Sequence, residues 1–126
     1  MAEVCLGSND EARRVVEKIR AITDRYGLAY YDDSQKTASS YAAFREYDPT
    51  FYYAEPVINV TFRGKSDDVI VGNLLPRDRV VVIGFSRSAD SLSYDEIERE
   101  IIDAISKEWT VVELGEGVGA TGDQCA

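Results

Sequence analysis

Between Val57 and Ser86 the chain carries three runs of strand length rich in β-branched and aromatic residues: Val57–Arg63, Val69–Val71 and Arg79–Ser86. Turn-forming segments separate them, so the stretch reads as an antiparallel meander. In the first run Ile58, Val60 and Phe62 alternate with Asn59, Thr61 and Arg63, which gives one buried and one wet face. The run Val80–Phe85 is continuously apolar, the pattern of a central strand covered on both sides. Gly84 within it marks a bulge or a close approach of a helix. A meander of this kind is stable only with helices over one face, and the flanking sequence supplies them.

The first flanking helix spans Ser8–Tyr26. Ser8 and Glu11 have the spacing of a capping box, and Ala12, Val15, Val16, Ile19, Ile22 and Tyr26 form one stripe. Gly27 supplies the left-handed stop, with Leu28 as its hydrophobic contact. The second helix opens at the capping box Ser93–Glu96, carries Ile97, Ile101, Ala104 and Ile105 inward, and ends near Trp109. Short strands are expected at Leu28–Tyr31 and Thr110–Leu114, and a loop at Gln35–Ser40. Tyr41–Tyr47 reads as a short helix capped by Ser40 or as a strand turning at Asp48-Pro49, with the helix favoured because Ala42 and Ala43 are weak strand formers. The order predicts an α+β fold: a two-layer sandwich with a mostly antiparallel sheet of four to five strands and two helices on one face. In layer architecture this resembles the ferredoxin-like arrangement. Residues 1–7 are expected as an N-terminal extension, 8–114 as a single domain, and 115–126 as a flexible Gly-rich tail.

The net charge of −9 and a pI near 4.5 oppose binding to nucleic-acid phosphates and anionic membranes. Residues 57–88 run against this trend at +2, against −11 for the remainder, as either a docking surface or a charge-protected sheet edge. No apolar run approaches the length of a membrane helix. Cys5 and Cys125 can close a long-loop disulfide, remain as two thiols, or leave Cys5 as a lipid-bearing residue. The sequence does not choose between them, nor between a cytoplasmic and a periplasmic or secreted location.

Histidine is absent, which removes Ser-His and Cys-His nucleophile activation and the commonest metal ligand. The two cysteines lack zinc spacing, and the acidic pairs Asp32-Asp33 and Asp67-Asp68 lack the spaced ligands of a calcium loop. Gly117–Gly122 matches G-x-G-x-x-G, but only four residues follow it, where a dinucleotide site needs a helix. No cofactor and no metal are expected. What stands out is aromatic enrichment: nine of the aromatic residues fall between Tyr26 and Tyr53. Tyr rings are amphipathic and lose little entropy on binding, so such a cluster serves either as a lid on the core or as an interaction surface.

The expected function is therefore that of a small acidic, non-enzymatic domain that recognises a protein partner, of bacterial accessory, envelope or immunity type. Tyr41, Phe44, Tyr47, Tyr52 and Tyr53 would act as anchors, with Arg79 and Arg87 as further binding residues and an acidic rim steering a basic partner. The rival expectation is a small-ligand site or histidine-free hydrolase between the aromatic segment and the sheet. There Arg79 or Arg87 would hold an anionic group and Asp32 or Asp33 would act as acid or base.

Overall fold

The computed structural model describes residues 1–65, 67–87 and 94–125, with the side chains of Arg87 and Tyr94 outside that description. Six strands form one sheet: β1 (Ala2–Cys5), β2 (Ala29–Asp32), β3 (Asn59–Arg63), β4 (Asp67–Asn73), β5 (Val80–Arg87) and β6 (Thr110–Glu113). Their spatial order is β2-β3-β4-β5-β1-β6, and every neighbouring pair is antiparallel. The helices are α1 (Ala12–Arg25), α2 (Ser34–Tyr47) and α3 (Tyr94–Ser106). Among the described residues the protein is thus α+β with a six-stranded antiparallel sheet and three α-helices, where four to five strands, two helices on one face and a short helix at Tyr41–Tyr47 were expected.

The meander forms with the period-two pattern that its sequence carries. Phe62 stands opposite Tyr30 on one side and Val69 on the other, and Val71 stands between Val60 and Ile83. These residues, with Val4 and Val81, meet Val15, Val16, Ile19 and Ile22 of α1 and Ile97, Ile101 and Ile105 of α3 in one core cluster. The apolar stripes of α1 and α3 therefore cover the same face of the sheet. β5 lies between β4 and β1, as a central strand should. Gly84 makes no bulge: it pairs with Ile70 in unbroken register, and a Cβ there would meet nothing closer than Ile70 at 4.0 Å. At the start of α1, the Glu11 carboxylate accepts the backbone N–H of Gly7 (2.5 Å) and of Ser8 (3.1 Å), the acidic half of the expected capping box. At its end Gly27 takes φ 75°, and the Leu28 N–H bonds back to the Thr23 carbonyl. Ser93, expected to cap α3, lies outside the described residues.

Two expectations fail at the termini. Residues 1–7 are not an extension, because Ala2–Cys5 forms a strand bonded to β5 on one side and β6 on the other. Ala2 and Val4 face the helices, so Glu3 and Cys5 point to the opposite face. Glu3 is only 2% exposed there. Its carboxylate accepts the backbone N–H groups of Thr121 (2.8 Å) and Gly122 (3.0 Å). The Gly-rich tail is accordingly tied down across the sheet rather than free. It closes with a 3₁₀ turn, Asp123–Cys125, and a disulfide between Cys5 and Cys125. Gly122 is required at the crossing: its φ is 74°, and a Cβ would come within 2.9 Å of Arg77 Nε and 3.2 Å of Leu74.

Candidate functional site

Helix α2 begins at Ser34, so the segment expected as a loop, Gln35–Ser40, is helical, and Ser40 lies inside the helix instead of capping it. The start is set by the acidic turn before it. Asp32 Oδ1 accepts the Ser34 N–H at 2.9 Å, and the Asp33 carbonyl accepts the Thr37 N–H at 2.9 Å. Polar bonds then hold the first turn to β3: the Asn59 N–H donates to Ser34 Oγ and Asn59 Nδ2 to Thr37 Oγ1, each at 2.9 Å. Ser34 is the only buried residue of the helix. A helix anchored by hydrogen bonds has no apolar stripe to display in its sequence, which is why its first half reads as a loop.

The second half of α2 is held by rings. Asp48 stops the helix and turns the chain, accepting the Thr50 N–H (3.1 Å) and hydroxyl (2.7 Å). Phe51 and Tyr53 then return to α2. Phe51 meets Phe44 edge-on at 4.8 Å and Tyr41 at 5.7 Å, while Tyr53 lies 5.3 Å from Tyr41. Arg45 stacks over the Tyr53 ring at 4.4 Å and donates to its hydroxyl at 3.0 Å.

The expected anchors therefore divide. Tyr53, expected among the anchors, is buried and belongs to the support of the helix. Tyr41 is half-buried within the same ring cluster. Phe44 and Tyr47 are 49% and 88% exposed, with ring centroids 6.5 Å apart. Tyr52 is exposed but parts from the others, its hydroxyl donating to Asp78 in the β4–β5 connection. That bond, followed by the one from Asn9 Nδ2 at 3.1 Å, holds the Asp78 carboxyl below its ordinary range.

The arginines and aspartates of the rival expectation do not converge. Arg79 precedes β5 and Arg87 ends it, which at strand rise separates them by roughly 26 Å. Asp32 ends β2 and, through Val60 and Val71, lies level with Ile83 in the middle of β5, three strand spacings or about 14 Å away, with Arg79 and Arg87 further off towards opposite ends of that strand. Asp32 is also fully engaged. Its Oδ2 accepts from Arg13 at 2.9 Å and from the Tyr30 hydroxyl at 3.2 Å. Partial burial alone would raise its pKa; the Ser34 hydroxyl and N–H, with Arg13, outweigh that and hold it at about 2. A carboxyl so acidic has no proton to give at neutral pH and is a weak base. Between α2 and residues 53–57 runs a groove of about 430 Å³ whose lining includes Ala38, Ala42, Tyr53 and Pro56; its one charged residue is Glu55.

The depressed pKa of Asp32 carries a stability consequence. Its folded value, about 2, lies below the ordinary 3.8, so its contribution is present above pH 4 and is lost as the pH falls towards 2. The stability difference between the wild type and Asp32→Asn should therefore shrink between pH 5 and pH 2.5 in urea titrations. A constant difference would show that the carboxylate is not stabilised by folding.

Among the described residues, no group of His, Cys, Asp or Glu is placed to hold a metal ion, and no helix is long and apolar enough to cross a membrane. The Gly117–Gly122 motif is followed by a single 3₁₀ turn, and the Gly122 N–H is occupied by Glu3. No family model matches the chain, and no curated protein or solved structure matches it either.

Proposed function

We propose that the chain is a non-enzymatic domain that binds a protein partner through α2 and the loop that follows it. The observation that carries this reading is the exposure of Phe44 and Tyr47 on a helix that contributes only Ser34 to the buried residues. A helix that serves the core buries an apolar stripe; α2 instead presents two large rings to solvent. Phe44 is pre-ordered, because Phe51 buttresses it and Tyr41 and Tyr53 buttress Phe51. Pre-ordering lowers the entropy lost on association. Glu46 and Asp48 flank Tyr47 in the sequence and, with a net charge of −9, suit a partner of basic surface.

The architecture supports a finer fold reading as part of the same proposal. β5 and β6 run in the same direction with β1 between them, joined through α3, and α1 packs beside α3. This arrangement resembles the split crossover of a ferredoxin-like sandwich, widened by β2 and β3 and with α2 added outside the core.

Wild-type protein and a Phe44→Ala/Tyr47→Ala variant, immobilised side by side, test the function. The variant should stay folded and lose no more than about 1.5 kcal/mol, the worth of the Phe44–Phe51 ring contact, since Tyr47 is a surface group. A partner held by the wild type should bind more weakly by over about 1 kcal/mol for each ring removed. Equal affinity for both proteins would remove α2 as the binding surface.

A further inference from the structure

We propose that the Cys5–Cys125 disulfide is a thiol-exchange site, opened by a small carboxylate-bearing thiol that attacks Cys125. The two sulfurs have unequal surroundings. Cys5 ends a strand flanked by β5 and β6. Cys125 sits on the last 3₁₀ turn and lines an open pocket of about 320 Å³ with Pro76, Arg77, Asp78, Arg79, Val80 and Gly122. Cys5 is not part of that lining. A thiolate must approach along the S–S axis from the side away from the leaving sulfur, so access decides which sulfur is attacked. Both cysteines are half-buried, but Cys125 and not Cys5 borders this pocket, so the pocket is the side from which a thiol reaches the bond.

The pocket also selects the thiol. Its walls carry two guanidinium groups, Arg77 and Arg79. Arg77 pairs with Asp123 at 3.3 Å, and Arg79 stands beside Asp78, whose carboxylate also accepts from Tyr52 and Asn9. Guanidinium groups bind carboxylates through directed, charge-assisted bonds. The volume and the cations together suit a thiol of tripeptide size that carries carboxylates.

The chemistry balances as an exchange. The incoming thiolate bonds to Cys125 Sγ while the Cys5–Cys125 bond breaks, and the electron pair leaves on Cys5 Sγ, which takes a proton from water. A second thiolate attacks the sulfur of the bound thiol, forms the small disulfide and releases Cys125 as a thiolate. The protein is reduced by two electrons and two small thiols are oxidised to one disulfide. Opening removes the covalent clasp from the strap that covers Glu3, leaving it the Thr121 and Gly122 amide bonds and the Arg77–Asp123 pair.

The test uses the oxidised full chain with excess glutathione, pulsed with N-ethylmaleimide and mapped by mass spectrometry after digestion. Glutathione on Cys125 with maleimide on Cys5 should exceed the reverse pattern by about tenfold or more, as access dictates. An equal or reversed distribution overturns the assignment of Cys125. The opening rate by glutathione relative to that by uncharged 2-mercaptoethanol should fall about threefold or more in Arg79→Gln, through lost electrostatic attraction. An unchanged ratio overturns the selection for a carboxylate-bearing thiol.

Discussion

Replacing both Cys5 and Cys125 by Ser should lower the stability of the protein by about 5 kcal/mol, the largest effect expected of any surface-accessible change. The bond joins residues 120 apart in sequence, so it ties almost the whole described chain into one loop. Such a closure restricts the unfolded chain far more than the folded one, and the restriction grows with the logarithm of loop length. The folded state has little to lose by it, because Cys5 is already placed by pairing with Val80 and Thr110. Urea unfolding of the oxidised wild type and of the double Ser variant measures the difference. A loss below about 1 kcal/mol would mean that the denatured chain is not constrained in the way loop closure requires.

Ile83→Ala should cost about 2–5 kcal/mol, the range for truncating a fully buried aliphatic side chain. Ile83 is fully buried in β5, with Val71 of β4 on one side and Ala2 of β1 on the other. Both α1 and α3 belong to the same core cluster, so the vacated space lies where sheet and helices meet. The sheet is held by hydrogen bonds on both sides of β5 and cannot collapse into the gap without breaking register, so the loss should fall above that of an edge position. A thermal or urea midpoint equal to that of the wild type would place Ile83 outside the packed core.

Both effects depend on β1, and nothing in the sequence of β1 announces it. Ala2-Glu3-Val4-Cys5 is four residues long and contains a charge, too little for a period-two pattern to emerge. By contrast α1 has an apolar stripe sustained along its 14 residues and a glycine stop, and the structure follows both, with the Ser8 capping box closing a 3₁₀ turn, Asn9–Glu11, that leads into the helix. The meander β3-β4-β5 was legible for the same reason: its alternation is long enough to state which face is buried. Local periodicity is written into the chain wherever a single element buries one of its own faces.

The candidate surface shows the boundary of that legibility. The crowding of aromatics from Tyr41 to Tyr53 is a fact of composition, visible at once. Which rings face outwards is not, since Tyr53 and Tyr47 are the same residue type with opposite fates, one buried and one 88% exposed. Their fates follow from the return of the loop onto α2, a contact between segments that local spacing does not encode. The polar anchoring of Ser34 and Thr37 to Asn59, 25 and 22 residues away, is likewise invisible to a helical period.

The amino-acid sequence by itself determined the α+β character, the two amphipathic helices, the central meander, the acidic balance and the lack of histidine chemistry. These rest on composition and short-range spacing, which do not depend on where distant segments lie. Only the tertiary structure decided that the first residues form an interior strand, that Glu3 is buried beneath the Thr121 and Gly122 amides, that Cys5 pairs with Cys125, and that Phe44 and Tyr47 rather than Tyr53 meet the solvent. Each of these depends on hydrogen bonds or packing between residues far apart in the chain, and those contacts exist only once the sheet order brings their strands side by side.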